Sequence, residues 1–157
     1  MRPLDPTVLG HLYRHHAPAL RLYARQWAGS SDDLVQDAFV ALAQQVPPPE
    51  CVLPWLYRVV RNGARAAHRA TDRRRKREQR AVTAEAWFES ADDLLDAHEA
   101  SRRLGELDIE LREVIVARVW GGLTFEEIAV LVGCSTATAQ RRYVTGLERL
   151  RKRLDGS

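Results

Sequence analysis

The sequence predicts an all-α protein of two small helical domains joined by a flexible linker, with a helix-turn-helix in the C-terminal domain. Three observations support this fold class. Apolar residues recur at spacings of three and four along most of the 157 residues, and no alternating run of β-branched residues indicates a strand. A polar, acidic stretch at residues 79–97 interrupts the helical pattern. From Gly121 to Leu154, two glycines, a short amphipathic segment, a single glycine and a longer basic segment follow one another.

Charge is distributed in two opposite blocks, although the whole chain carries a formal charge of only +3. Residues 58–80 contain ten basic and two acidic side chains, a net charge of +8. Residues 81–113 contain ten acidic and three basic side chains, a net charge of −7. The basic block predicts a polyanionic partner, whereas the acidic block either shields it or keeps a linker soluble.

Cysteine usage and hydropathy favour a reducing, cytoplasmic compartment. Cys51 and Cys134 are far apart in sequence and belong to no CxxC pair, so they predict neither a zinc site nor a disulfide framework. No signal peptide and no apolar run of bilayer-spanning length occurs, so we expect no membrane insertion.

A histidine cluster in the first predicted helix, residues 6–28, raises the question of a metal site. His11 and His15 share one helical face beside His16, but no carboxylate of an HExxH motif accompanies them. We therefore expect solvated or half-buried histidines, and neither a metal nor another cofactor. Pro18 either opens a second helical segment or kinks a single helix, and Gly29 ends it.

The second predicted helix follows the N-cap Ser30 and reads SDDLVQDAFVALAQQ. Its apolar stripe runs through Leu34, Ala38 and Leu42, with Val35 and Phe39 beside it. The polar side chains Asp33, Gln36 and Asp37 are left on other faces, together with Val40. Such an acidic face is commonly only solvated, but it is also a candidate docking surface for a basic partner.

A third helix is predicted to begin at Pro54, after the proline-rich loop VPPPECVLP. Its apolar side carries Leu56, Val59, Val60, Gly63, Ala67 and Ala70. A stripe of polar and basic residues lies opposite, formed by Arg58, Arg61, Asn62, Arg65, Arg69 and Arg73. With Trp55 and Tyr57 at its head, this helix suits single-stranded nucleic acid, because guanidinium groups follow phosphates and rings stack on bases. The alternative is a solvated helix face with Trp55 in the core.

Two further helices, at about Leu94 to Leu104 and Ile109 to Trp120, lead into the helix-turn-helix. Thr124 and Glu127 form a capping-box pattern, and Gly133 and Ser135 predict a turn and a new N-cap. Leu123 and Ile128 are spaced for a hydrophobic staple. The second helix of the motif would place Ala139, Tyr143, Leu147, Leu150 and Leu154 on its apolar side. It would expose Thr136, Ala137, Gln140 and Arg141, where DNA base edges are met. A plain αα-hairpin remains the alternative for this stretch alone.

Three segments in this order and spacing resemble extracytoplasmic-function (ECF) sigma factors, the smallest class of bacterial RNA polymerase sigma subunits. They read SDDLVQDAFVALAQ, PWLYRVVRN and GGLTFEEIAVLVGCSTATAQRRYVTGLERLRKRL. The resemblance implies sigma region 2 at residues 5–78, an acidic linker at 79–97 and sigma region 4 at 98–157. It also implies that the chain directs core polymerase to −10 and −35 promoter elements, promoter melting and transcription initiation.

The resemblance also implies a role for particular residues. Core polymerase would dock on Asp33, Gln36 and Asp37 through its β′ clamp helices, and region 4 would pack on its β flap through an apolar groove. The −10 element would be bound by Trp55, Arg58, Arg61, Asn62, Arg65 and Arg69. The −35 element would be bound by Thr136, Ala137, Thr138, Gln140, Arg141 and Arg142. An anti-sigma factor is a further candidate partner.

Two departures from the family pattern bear on base preference. The loop from Pro47 to Pro54 lacks the polar, glycine-containing sequence common in the family. Gln140 and Arg141 occupy positions where lysine and serine are usual.

Two alternatives belong to other functional classes. A free-standing helix-turn-helix regulator would bind duplex DNA tightly without polymerase. A nucleic-acid-processing enzyme would need the histidine cluster and a metal. No nucleophile, base and orienting group occur at usable spacing, and no phosphate-binding loop is present, so we do not expect an enzyme.

Overall fold

Helices build both parts of the protein, and the computed structural model describes residues 2–27, 31–78 and 102–155. No strand occurs within these ranges, and the all-α prediction is confirmed. The chain divides into two compact units, Met1–Gln79 and Arg80–Ser157. The predicted linker at 79–97 lies outside the described residues. None of the described helices combines the length and the apolar character that crossing a membrane requires.

The first unit packs three helices around one core. They are α1 (Pro6–Ala24), extended by a 3-10 turn (Arg25–Trp27), α2 (Ser31–Gln44) and α3 (Val52–Glu78). The Asp5 carboxylate caps α1 by accepting a 2.7 Å hydrogen bond from the Thr7 amide. Pro18 lies inside one continuous helix, so it does not open a second segment. The predicted signals at Gly29 and Ser30 fall in residues 28–30, outside the described ranges.

The core of this unit is formed where the apolar faces of the three helices meet. Its wholly buried members include Leu20, Tyr23, Val35, Ala38, Leu42, Leu56, Tyr57, Val60 and Ala64. The ring of Tyr23 makes edge contacts with Trp27, at a centroid distance of 5.2 Å, and with Tyr57, at 5.0 Å. These aromatic contacts fix α3 against the end of α1.

Helix α3 begins at Val52, two residues before the predicted start. The Trp55 amide donates to the Cys51 carbonyl at 3.2 Å, which places Pro54 inside the first turn. A proline is tolerated there because the first amides of a helix have no partner within the helix. The predicted start of α3 was therefore wrong by two residues. The reason for the prediction, that the first turn of a helix tolerates a proline, was correct.

Tyr57 provides a test of the packing in the first unit. Its side chain is wholly buried, and its hydroxyl has no hydrogen-bond partner among the described residues. An unsatisfied buried hydroxyl is costly, so Tyr57→Phe should raise the free energy of unfolding by about 1 kcal/mol. Urea unfolding at pH 7 checks this, and a clear loss of stability in the variant would instead reveal a partner for the hydroxyl.

The same residue predicts a difference at alkaline pH. Burial disfavours the phenolate and raises the pKa of Tyr57 above its ordinary value of 10.0. The stability that comes from keeping this phenol neutral is complete below the unfolded pKa of about 10 and is lost as pH rises toward the folded pKa. The advantage of Tyr57→Phe over the wild type should therefore grow above pH 10.

The described part of the second unit contains a helical segment and three longer helices. They are α4 (described at residues 102–105), α5 (Ile109–Val119), α6 (Phe125–Val132) and α7 (Thr136–Asp155). The part of the predicted helix from Leu94 that precedes residue 102 lies outside the described ranges. Leu104, Leu107 and Ile115 form a buried cluster, against which Tyr143 and Leu150 of α7 pack.

The apolar side of α7 differs from the prediction at one position. Gly146 is buried, whereas Leu147, which the spacing assigned to the core, is exposed. A Cβ atom built on Gly146 would lie 2.6 Å from Ile115 Cδ1 and 3.5 Å from Leu111 Cβ. Helix α7 therefore packs closely against α5 at a glycine, and Leu147 falls at the margin of the contact. The side chain of Leu154 lies outside the described residues.

Candidate nucleic-acid interface

Two successive helix caps set the position of α7. The Thr124 hydroxyl accepts from the Glu127 amide at 3.1 Å, and the Glu127 carboxylate accepts from the Thr124 amide at 2.9 Å. Gly133 then ends α6 with φ of 78°, in the left-handed region that glycine adopts without strain. Ser135 caps α7 by accepting from the Thr138 amide at 3.1 Å. The predicted capping box, glycine turn and second N-cap are all confirmed.

The first turns of α7 present a polar face next to one buried residue. Ala137, Gln140 and Arg141 are exposed, whereas Thr136, Thr138 and Arg142 are half-buried. Ala139 is wholly buried and holds this end of the helix against the unit. The short, tightly capped turn and the exposed N-terminal face together match the geometry by which a helix-turn-helix enters the major groove.

An aromatic and cationic cluster packs α7 against α5 and α6. The Phe125 ring meets Tyr143 edge-on at 5.4 Å, and the Arg118 guanidinium carbon lies 4.6 Å from the Phe125 centroid. Arg118 also donates to the Leu123 carbonyl at 2.9 Å. The cluster links the end of α5 to both helices of the motif. Sequence periodicity did not identify Arg118, because its role depends on a tertiary contact.

The exposed face of α3 is a second cationic surface. Arg58, Asn62, Arg65 and Arg69 are exposed, and Arg61 is half-buried. Within the described part of the chain, no carboxylate lies at ion-pair distance from Arg58, Arg65 or Arg69. Parallel guanidinium groups one turn apart repel one another, so an anion along this face would relieve their repulsion.

The two aromatic residues at the head of α3 differ in accessibility. Trp55 is half-buried, so it belongs only partly to the core. Tyr57 is wholly buried. The prediction that both rings could stack on bases was therefore wrong for Tyr57, whose ring packs on Tyr23 instead.

His68 contacts Asp72, the one carboxylate between Arg58 and Arg73 of α3. Its Nε2 lies 3.1 Å from an Asp72 carboxylate oxygen, and its Nδ1 lies 2.7 Å from the Trp27 carbonyl. The imidazole thus joins α3 to the 3-10 turn and turns Asp72 toward His68. His68 and Trp27 are 41 positions apart in sequence, so no local pattern predicted their contact.

The outer face of α2 carries the third candidate surface. Asp33, Gln36 and Asp37 are exposed beside the exposed side chain of Val40. Asp32 is set apart from them, because its carboxylate lies 3.5 Å from Arg21 Nε of α1. A groove between α1 and α2, lined by Leu9, Tyr13, Phe39 and Val40, adjoins the acidic side chains. The surface is therefore acidic with an apolar margin, to which α1 contributes residues that the sequence pattern of α2 alone did not indicate.

The histidine cluster has no arrangement that favours metal binding. His11 and His15 are exposed, and the His15 and His16 rings are 6.0 Å apart at their centroids. Burial, and then the neighbouring His15, lower the pKa of His16 below its ordinary value. Within residues 2–27, 31–78 and 102–155, no group of three or more potential metal-ligating side chains is present.

Comparison with protein families assigns both units. Residues 12–78 match the sigma-70 region 2 family, and residues 97–150 match the sigma-70 region 4 family. The RNA polymerase sigma factor CarQ of Myxococcus xanthus is 30% identical over 152 residues, which cover 91% of this chain and 87% of CarQ. The chain belongs to the ECF sigma factors of the sigma-70 family. It therefore binds core RNA polymerase and directs promoter recognition and transcription initiation, and the free-standing regulator is not favoured.

A further sigma factor and two solved structures resemble this chain over almost its full length. NccH of Alcaligenes xylosoxydans xylosoxydans is 27% identical, with 98% of this chain and 90% of NccH covered. The sigma factor RpoE of Bartonella quintana, solved with the anti-sigma factor NepR, has a TM-score of 0.80 at 24% identity, covering 96% of this chain and 98% of RpoE. CnrH, solved with the cytosolic domain of CnrY, has a TM-score of 0.69 at 27% identity, covering 98% and 91%. The RpoE comparison supports the fold.

Proposed function

We propose that three surfaces of this sigma factor have separate binding roles in transcription initiation. Asp33, Gln36 and Asp37 of α2 dock on the β′ clamp helices of core polymerase. The exposed face of α3 binds the melted −10 element, and the first turns of α7 read the −35 element. Residues 5–78 act as region 2, 79–97 as an acidic linker and 98–157 as region 4, which also packs on the β flap. The protein works in the cytoplasm and contributes binding rather than catalysis.

The observation that carries this proposal is the exposed arginine face of α3 in the same chain as a helix-turn-helix. Arg58, Arg65 and Arg69 are exposed without an ion-pair partner among the described residues. The half-buried Trp55 ring at the head of α3 offers a stacking surface. A line of positive charge with an aromatic ring at one end suits unpaired bases and their phosphates, which a melted promoter provides. Arg61 and Asn62 complete the proposed −10 surface.

The face of α7 supplies complementary groups for duplex DNA. Gln140 suits adenine and Arg141 suits guanine, because each can make two hydrogen bonds to that base in the major groove. Thr136, Ala137, Thr138 and Arg142 surround them on the same turns. Since lysine and serine are usual at positions 140 and 141 in the family, this chain should prefer its own −35 sequence.

An anti-sigma factor is a further partner that we infer for this protein. RpoE was solved with the anti-sigma factor NepR, and CnrH with the cytosolic domain of CnrY. A protein partner that competes with polymerase would be expected to cover the acidic α2 face, because that face is the proposed polymerase contact.

Arg65→Ala/Arg69→Ala should weaken binding of the −10 strand by the holoenzyme. Each lost phosphate contact lowers the salt slope of log K for single-stranded DNA by roughly 0.7, so the double variant should show a slope shallower by about 1.4. The measurement is fluorescence anisotropy of labelled non-template strands at several salt concentrations. The strands come from promoters enriched by the wild-type holoenzyme from a random library.

Arg14→Ala is the matched control, because Arg14 is an exposed arginine of the same unit on α1. Its Nε donates to the Gly10 carbonyl at 3.4 Å, which is its one side-chain hydrogen bond among the described residues. The control should keep the wild-type salt slope. An unchanged slope in the Arg65/Arg69 variant would remove this face of α3 from the −10 interface.

A further inference from the structure

The hydroxyl of Thr138 connects the cap of α7 to the side chain of Arg141. Thr138 Oγ1 accepts from the Ser135 hydroxyl at 2.9 Å and from Arg141 Nη2 at 3.0 Å. Thr138 is half-buried, whereas Arg141, one turn later, is exposed. The two contacts form a chain from the N-cap to the guanidinium group on the proposed reading face.

Arg141 differs in this respect from its neighbours on the same face. Among the described residues, no side-chain hydrogen bond engages Gln140 or Arg142. An exposed arginine normally samples many rotamers, and it loses that freedom when it binds a base. A hydrogen bond made before binding restricts the guanidinium in advance and so lowers the cost of using it.

The hydrogen bond to Thr138 leaves Arg141 able to recognise a base. A guanidinium has five N–H donors, and Thr138 engages only one of its nitrogens. The remaining donors can still meet two acceptors at once, and guanine alone presents two acceptors, O6 and N7, at its major-groove edge. Thr138 is β-branched, so in a helix its hydroxyl occupies few orientations and makes a stiff support.

We propose that Thr138 is a positioning residue, which holds the Arg141 guanidinium in place and so narrows the −35 preference to guanine at the position that Arg141 reads. This inference rests on the proposed role of α7 as the −35 reader. Thr138 thereby contributes specificity through Arg141 and not through a base contact of its own.

Thr138→Val removes the hydroxyl while it keeps the shape of the side chain. The Thr138 amide that Ser135 caps is unaffected by this change, so α7 should keep its N-terminus. Thr138→Ser keeps the hydroxyl and serves as the conservative variant. Arg141→Ala and the Thr138→Val/Arg141→Ala double variant complete the set, and thermal unfolding verifies that each full-length chain folds.

The experiment measures −35 base preference by each holoenzyme on a duplex library randomised in the −35 element. Thr138→Val should lower the preference for guanine at one position by roughly fivefold or more, and Arg141→Ala should abolish it. Thr138→Ser should stay within about twofold of the wild type, and Thr138→Val should add nothing when Arg141 is already alanine.

Three other results would contradict either the role of Thr138 or the proposed reading by Arg141. If Thr138→Val keeps the guanine preference that Arg141→Ala loses, Thr138 does not position Arg141 and the inference is overturned. It is also overturned if Thr138→Val weakens binding to all sequences equally, because that is the signature of a purely structural role. If Arg141→Ala keeps the full base preference, the proposed reading by Arg141 fails, independently of Thr138.

Discussion

The Asp33→Lys/Asp37→Lys protein should bind core polymerase at least about 100-fold more weakly than the wild type. Both residues are exposed on α2, and the double substitution changes the charge of this face by four units. Placing like charges against a basic partner costs several kcal/mol, and each 1.4 kcal/mol corresponds to a factor of ten. Titration of labelled sigma factor with core polymerase measures the loss.

Two matched variants separate docking from other effects of charge. Lysine near the N-terminus of α2 opposes the helix dipole, at a cost of about 0.3–1 kcal/mol, so Asp33→Asn/Asp37→Asn tests the surface with less strain on the fold. It should lose about tenfold in affinity. Glu110→Lys/Glu148→Lys carries the same charge change on exposed residues of the second unit and should bind normally. Wild-type affinity in the Asp33/Asp37 lysine protein would exclude this face from the interface.

Gly146→Ala should destabilise the second unit by about 2 kcal/mol, although alanine favours a helix over glycine by roughly 1 kcal/mol. The added Cβ would lie 2.6 Å from Ile115 Cδ1 and 3.3 Å from Ile115 Cγ1. Ile115 is buried in a packed cluster, so it cannot turn aside without disturbing Leu104 and Leu107. Amide hydrogen exchange in α5 and α7 of the full chain during urea unfolding reports on this unit.

Ile115→Val removes the Cδ1 atom that the new methyl group would strike. Alone, this substitution should cost about 0.5–1.5 kcal/mol. In its presence Gly146→Ala should become nearly neutral or stabilising, because the helix preference of alanine is then no longer opposed. Additive losses in the double variant would show that the approach of α7 to α5 is not limited by this atom pair.

The features that could be predicted from sequence are those fixed within one turn of helix. Thr124, Glu127, Gly133 and Ser135 act on amides three residues away or on their own backbone, so spacing alone located both helices of the motif. Position on a helical face likewise follows from the sequence, which is why Asp33 and its neighbours were correctly expected on the surface.

The features that sequence could not provide depend on distances between helices. The spacing rule assigned Leu147 to the core because leucine is apolar, but α7 packs against α5 through position 146, where the space beside Ile115 admits only a glycine. Tyr57 was expected near bases, yet its ring fills a gap beside Tyr23 that only the packed unit creates. The Thr138–Arg141 pair is an intermediate case, because its spacing of three residues allows the contact without revealing that it forms.

The tight contact at Gly146 also has a consequence for how promoter preference can evolve. Each helical residue advances the angle of α7 by about 100°, so the five residues from Arg141 to Gly146 fix a phase of about 140° between the proposed reading face and the face that packs on α5. If α7 reads the −35 element as proposed, substitutions at Gln140 or Arg141 would leave that phase unchanged and would change the promoter preference one base at a time. An insertion or deletion between them and Gly146 would rotate every reading side chain at once. New specificities should therefore arise among relatives by exchange of residues, with the length of this segment held constant.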